Sequence, residues 1–426
     1  MRIGRESCRQ AGGQVRFRLT PPLDGRAHKL RRLAPLPPIA HLASPTMSST
    51  TLSISCHCTL NTFSIPLPPS TTLPFPSSTC SCSSCRFSTG ALFNLSVPLP
   101  YTITGASLPL RTTLRAAKDS EGNDTTRWFC VRCGAHMFRQ LKATHEETGE
   151  RRWNARSAVV KGWNEGLVDV KAHGWVGDTK DGGLAVLLPE VGGRRLPMYT
   201  EGAGSEPFIP PLTTTSSAST ADAANKGPLL VQCLCKTISL HLSRPSSTST
   251  HLPSPSSEWP ESLAHLKAAD ADSTPSWTTF ALSTTPHTHF RAHSCICSSC
   301  TTTSGSPLQP WTFIPLHLLT PLASPHTPLT PATLSTLEGI VVYKSSDKVE
   351  RTFCGGCGAT VCYATEERGE VVDLSVGLLR AEEGARAERW LEWRRGVGRG
   401  GEEERSLGPV MDGFVEGATE MGTAEW

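Results

Sequence analysis

The chain has 426 residues, a length that suggests two domains, and 19% charged residues with 38% hydrophobic residues place it among folded chains poor in surface charge. No run of about 18 apolar residues occurs, which leaves no candidate membrane span. The net charge of +3 is uneven: residues 1–46 hold nine Lys/Arg against two Asp/Glu, so the remainder is about −4 and offers no basic face for nucleic acid.

Residues 1–46 read as a basic, disordered or non-native extension, with Met47 as the expected start and a mitochondrial targeting segment as the second reading. Prolines at 21, 22, 35, 37 and 38 argue against an amphipathic targeting helix. Thr51–Ser55 then alternates polar and apolar as a half-buried strand does, and Thr237–Leu242 repeats the pattern. Short apolar runs at Ala91–Leu99, Gly339–Tyr343 and Val371–Leu379 add strands, and Ala381–Trp393 is the best helix candidate. The fold class is mainly β. Residues 202–227, rich in Ser, Thr and Gly, read as a linker between a first domain at 47–201 and a second at 228–393, with a flexible tail at 394–426. Ser243–Ser257 and Leu319–Ser335 read as Ser/Thr/Pro insertions.

Sixteen cysteines are too few for a small disulfide scaffold, and they cluster. Each half carries Cys-x-Cys, then Cys-x-Cys-x-x-Cys, then Cys-x-x-Cys-Gly. Cys56 and Cys58 correspond to Cys233 and Cys235, and Cys80, Cys82 and Cys85 to Cys295, Cys297 and Cys300. Cys130 and Cys133 correspond to Cys354 and Cys357. Zinc closes its shell with four thiolates, so seven per half divide into four plus three, and three ligands leave a position for water or substrate. A Cys-x-Cys-x-x-Cys run makes a tripod alone, whereas the outer pairs need each other. The expected closed sites are therefore Cys56, Cys58, Cys130, Cys133 and Cys233, Cys235, Cys354, Cys357. The expected open, catalytic sites are Cys80, Cys82, Cys85 and Cys295, Cys297, Cys300, giving about four zinc ions per chain.

Disulfides leave an odd thiol in each half, and an iron–sulfur cluster leaves the tripod unexplained. The stronger rival is a purely structural module in which a histidine or water completes the tripod. His57, His287, His289 and His293 lie near ligands but read as ordinary histidines. Cys362, whose counterpart is Phe138, reads as a buried apolar residue, and Cys8 as inert.

Together with Gly90, Gly305 and Val371–Leu379, these blocks resemble the glutathione-dependent formaldehyde-activating enzymes, whose relatives include centromere protein V. The stretch His173–Leu184 is similar to an aspartate-glycine segment of tandem fungal members. The resemblance implies a β-tent fold in each half and a carbon–sulfur lyase that joins glutathione, as co-substrate, to formaldehyde. Small thiol and aldehyde substrates and a cytoplasmic location follow, with no membrane or clear nucleic-acid partner. Arg86 and Arg132, with Arg139, are the residues expected to meet glutathione. Thr301 and Gly356 replace the first two in the second half, so recognition is expected to survive in the first half alone. The alternative is a non-catalytic tandem zinc module for protein or chromatin contacts.

Overall fold

The computed structural model describes residues 51–100, 112–118, 124–146, 148–163, 166–211, 227–245, 288–398 and 408–421. The expectations for residues 1–46, Met47, His287 and most of Ser243–Ser257 lie outside these residues. No helix among them is long and apolar enough to cross a membrane.

In the first repeat, β1 (Thr51–Ser55) and β2 (Thr62–Pro66) form a hairpin. β3 (Phe75–Cys80) leads into helix α1 (Ser83–Thr89), followed by β4 (Ser96–Pro98), β5 (Leu114–Lys118), β6 (Thr126–Cys130), β7 (His136–Thr144), β8 (Arg151–Arg156) and β9 (Val168–Gly174). A small hairpin, β10 (Glu190–Val191) and β11 (Arg194–Arg195), follows. The second repeat begins with β12 (Leu229–Gln232) and β13 (Ser239–Leu242). It continues through β14 (Phe290–Cys295), α2 (Ser298–Ser304), β15 (Gln309–Pro315), β16 (Leu319–Pro321), α3 (Pro331–Thr336), β17 (Ile340–Ser346), β18 (Val349–Cys354), β19 (Thr360–Thr365), β20 (Val371–Ser375) and β21 (Leu391–Gly398).

The strand orders repeat. β5-β6-β7-β8 with β4 at one edge in the first repeat matches β17-β18-β19-β20 with β15 in the second, where β14 and β21 extend the sheet to seven strands. β3 pairs in parallel with β9 as β14 pairs in parallel with β21. Alternation on β1, with Leu52 and Ile54 buried and the polar residues turned out, is what seats the first hairpin on the core. Fully buried Ile54, Phe129, Phe138, Trp153 and Ala155 line the first repeat, and Phe290, Val361, Leu374 and Leu378 the second. Both contribute to one continuous apolar cluster, and the contacts within Met47–Trp426 form a single compact unit.

Two expectations are corrected. Ala381–Trp393 is not helical. Its first part is held in a turn by Asp181 of the other repeat, whose Oδ2 accepts the Arg386 N–H at 2.7 Å, and its end becomes β21. Nor is the segment after Arg394 a plain tail: β21 runs to Gly398, and α4 (Pro409–Met421) buries Val410, Met411, Phe414 and Ala418. Their spacing is the i, i+1, i+4, i+8 of an amphipathic helix, obscured in the sequence by flanking Gly and Glu. Of residues 202–227, those at 202–211 are described, with the Phe208 N–H donating to Met198 O at 2.8 Å, while 212–226 lie outside the described residues. Within Leu319–Ser335, α3 is capped by reciprocal bonds between Thr330 and Thr333.

Candidate metal centres

The hairpin β1-β2 delivers Cys56 and Cys58, and the turn after β6 delivers Cys130 and Cys133. Two backbone features build the turns. Gly134 and Gly358 adopt φ +74° and +80°, letting their N–H groups return to Cys130 O and Cys354 O at 2.9 and 2.8 Å. The Asn61 N–H donates to Cys56 Sγ at 3.3 Å and the Ile238 N–H to Cys233 Sγ at 3.4 Å, so the same backbone donor supports the same sulfur in each repeat.

All four Sγ atoms in each outer set lie within 4.8 Å of one another. Cys56–Cys58 and Cys58–Cys130 are 3.6 Å apart, and Cys233–Cys354 is 3.7 Å. A tetrahedron of sulfurs about 2.3 Å from a central ion has edges of roughly 3.8 Å, whereas a disulfide is about 2.05 Å. The spacing fits a metal shell and not a bridge.

Each tripod is assembled at the start of a short helix. Cys80 ends β3, and Cys82 Sγ accepts the Cys85 N–H at 3.4 Å; in the second repeat Cys297 Sγ accepts the Cys300 N–H at 3.5 Å. Cys80–Cys82 is 3.5 Å and Cys295–Cys297 is 3.4 Å. Among the described residues no histidine or carboxylate completes either tripod as a fourth ligand. His57 Nδ1 instead bonds to Tyr343 Oη at 2.7 Å, His289 bonds to Thr288 Oγ1, and His293 stacks on Phe313. Cys362 is fully buried, which pushes its thiol up to about 12.

Hydrogen bonds from Cys80 and Cys82, aided by the charges of Arg139 and Arg127, hold the Cys85 thiol well below its ordinary range against the effect of burial. Cys295 and Cys297, with Arg351, do the same for Cys300. The arginines responsible are equivalent: Arg127 and Arg351 stand three residues before their Cys-x-x-Cys. Arg127 Nη2 donates to Cys85 Sγ at 3.8 Å, and Arg351 Nη1 and Nη2 donate to Cys300 Sγ at 3.6 Å. Sequence reasoning missed both, although Arg-x-Phe-Cys recurs in each half.

Arg86 and Arg132 are placed differently from expectation. The Arg86 guanidinium is spent inside the fold, donating to Ser81 O at 3.1 Å and Asp178 O at 2.9 Å. Arg132 is exposed on the turn of the closed site, beside Tyr343. Arg139 does face the tripod. Asp178 Oδ2 accepts the Ser83 N–H at 2.7 Å, so the aspartate-glycine segment fixes the start of α1, while its Asp181 grips the second repeat at Arg386.

The repeats meet at these centres. The Leu234 N–H donates to Phe87 O at 2.9 Å, and Arg380 lies over the Phe87 ring, so the second repeat lines the first tripod helix. Gly90 and Gly305, the left-handed caps of α1 and α2, press on the opposite repeat. A Cβ on Gly90 would sit 2.5 Å from Thr360 O, and one on Gly305 2.7 Å from His136 O.

A family model described as "Glutathione-dependent formaldehyde-activating enzyme" matches residues 51–152 and 278–393, slightly more than half of the chain. The two matched regions fall one in each repeat. No curated protein and no solved structure matches the chain.

Proposed function

The chain belongs to the glutathione-dependent formaldehyde-activating enzyme family, and we propose that it is a zinc-dependent carbon–sulfur lyase-type enzyme joining a thiol of the glutathione kind to formaldehyde. The observation that carries this reading is the three-sulfur tripod, to which no fourth ligand comes from the described residues, set against a buried guanidinium. A closed structural site needs a fourth ligand from the chain; an open one leaves a position for a reactant.

In the reaction a carbon–sulfur bond forms as the carbonyl π bond breaks, and the thiol proton ends on the former carbonyl oxygen. Zinc held by the tripod would supply a coordination position at which a thiol ionises near neutral pH. The residues of the chain do the remaining work. Arg127 in the first repeat and Arg351 in the second place a permanent cation against the tripod, which favours negative charge on sulfur and on oxygen. The Cys82 and Cys297 sulfurs, fixed by the N–H groups of Cys85 and Cys300, keep each tripod preorganised. Dependence on fourteen reduced cysteines fits a reducing compartment such as the cytosol.

The test is formaldehyde consumption by the zinc-loaded protein with and without glutathione. Acceleration that requires glutathione and falls at least about a hundredfold in Cys82→Ser combined with Cys297→Ser supports the proposal. A rate equal to that of glutathione and formaldehyde alone would sink it.

A further inference from the structure

Each open tripod rests on the closed centre of the opposite repeat. Phe87 lies two residues after Cys85 on α1, and its carbonyl accepts the N–H of Leu234, the residue between Cys233 and Cys235, at 2.9 Å. Arg380 ties the same two places together. Its Nη2 donates to Cys233 O at 3.4 Å, and its guanidinium lies over the Phe87 ring, 3.0 Å from the centroid. Gly90, the cap of α1, presses on Thr360, three residues after Cys357.

The second tripod is reached from the first closed set by another route. His57 stands between Cys56 and Cys58, and its Nδ1 is hydrogen-bonded to Tyr343 Oη at 2.7 Å, with the two rings edge to face. Tyr343 is directly opposite Arg351 on the neighbouring strand, and Arg351 donates to Cys300 Sγ from both Nη atoms. Gly305, the cap of α2, presses on His136, three residues after Cys133.

The two crossings use different side chains. The Lys161 N–H meets Ser53 O as the Arg380 N–H meets Leu230 O, which makes Lys161 the counterpart of Arg380, yet Lys161 is exposed. Ala117 opposes Arg127 where Tyr343 opposes Arg351, and Leu234 stands where the first repeat has His57. Disturbing one crossing therefore leaves the other intact.

We infer that the open tripods are positioned across the repeats. Arg380 of the second repeat is a positioning residue for Cys80, Cys82 and Cys85. His57 of the first, acting through Tyr343 and Arg351, is one for Cys295, Cys297 and Cys300. Groups that orient ligands from outside the coordination shell set metal affinity by roughly 10–100-fold. A single repeat would hold a closed centre and an incomplete open one, so the tandem chain is the working unit. Only the metal centres are involved, not the reaction proposed above.

The experiment challenges the full-length, zinc-loaded chain with a chelator in the presence of iodoacetamide, and peptide mass spectrometry gives the alkylation rate of each cysteine. Arg380→Ala should speed the labelling of Cys80, Cys82 and Cys85 about tenfold or more and leave the second tripod within about twofold. Arg380→Lys should recover part of the protection, since its ammonium keeps a charge over the ring. His57→Phe should do the reverse, exposing Cys295, Cys297 and Cys300. Tyr343→Phe should match it, and combining the two should add nothing. In the cobalt-loaded protein each variant should alter the thiolate-to-metal absorption while the far-ultraviolet dichroism stays unchanged. Arg380→Lys and Tyr343→Phe, which keep the packing, carry the test if a larger substitution unfolds the chain.

Labelling that rises only at the closed set beside the substituted residue overturns the proposal: Cys233 and Cys235 for Arg380→Ala, Cys56 and Cys58 for His57→Phe. Equal loosening of both tripods overturns it as well. Because no aldehyde is present, the outcome is separable from turnover. Crossed labelling in a protein that does not consume formaldehyde keeps the positioning and removes the reaction; turnover with unchanged labelling does the reverse.

Discussion

Phe129 and Phe353 hold the same position in the two repeats, and they meet each other edge to face with ring centroids 6.5 Å apart. Residues that touch their own counterparts lie on a pseudo-two-fold axis, the arrangement of a symmetric dimer built into one chain. Around them the glycines of the two metal turns cross over. A Cβ on Gly134 would lie 2.6 Å from the Phe353 ring, and one on Gly358 2.5 Å from the Phe129 ring.

Gly134→Ala and Gly358→Ala should therefore each destabilise the protein, by about 1–3 kcal/mol, because both strain a left-handed backbone and push an aromatic ring at the axis. The effects should not add, since both act on one pair of rings. Urea denaturation of the two single variants and the double variant measures this. Two separate transitions in the unmodified chain would contradict the shared core from which the prediction is drawn.

The closed and open centres should respond differently to losing a sulfur. Structural zinc contributes on the order of 10–16 kcal/mol in small zinc domains, as much as a whole domain's stability of ~5–15 kcal/mol. Cys133→Ser, which opens a closed shell, should abolish the single cooperative thermal transition that the shared core gives the chain. Cys82→Ser should lose one metal ion per chain and keep the far-ultraviolet dichroism. Metal analysis beside circular dichroism decides it, and a Cys82→Ser protein that unfolds would favour a purely structural tripod.

How far the sequence foretold these centres depends on what kind of information each part needs. The gathering of fourteen cysteines into four sets was legible because it lies in short spacings, with three thiols within six residues and two pairs that need each other. β1 and β20 were legible because their residues alternate or form an unbroken buried run. Arg127 and Arg351 were not, because a buried arginine looks in sequence like an exposed one, and only the fold shows that its strand passes beneath a tripod. Arg86 misled for the same reason, adjoining a ligand in the chain while pointing to Ser81 O and Asp178 O. The Ala381–Trp393 segment has helical composition, yet Asp181, some two hundred residues away, holds its backbone in a turn.

His136 supplies a pH prediction. Burial first, then the charges of Arg156 and Arg127, lower its pKa from 6.5 to about 3. The unfolded chain binds this proton between those values and the folded chain does not, so the stabilising contribution is complete above pH 6.5 and lost as pH falls through that window. Between pH 6.5 and 5.5 the loss from this one group is about 1 kcal/mol. His136→Leu should flatten the acid side of the stability curve by that amount. The check is the difference in denaturation midpoint between variant and parent at the two pH values, both under excess zinc.

The C-terminal helix gives the last test. Phe414 stacks on Phe93 of the first repeat, with centroids 4.8 Å apart and the rings tilted by 19°. Gly417 lets the helix approach so closely that a Cβ there would fall 1.9 Å from Leu187 O. The helix contacts β21 of the second repeat as well, so it clasps both. Removing a buried phenylalanine costs about 3–5 kcal/mol when the surroundings cannot collapse, more than a thirteen-residue helix can recover from its own propensity. Phe414→Ala and Gly417→Ala should thus undock α4 without unfolding the sheets. Hydrogen exchange should show protection lost across residues 409–421 while β18 to β20 keep theirs, and metal content should be unchanged. Loss of protection throughout the sheets would mean instead that the clasp is part of the cooperative core.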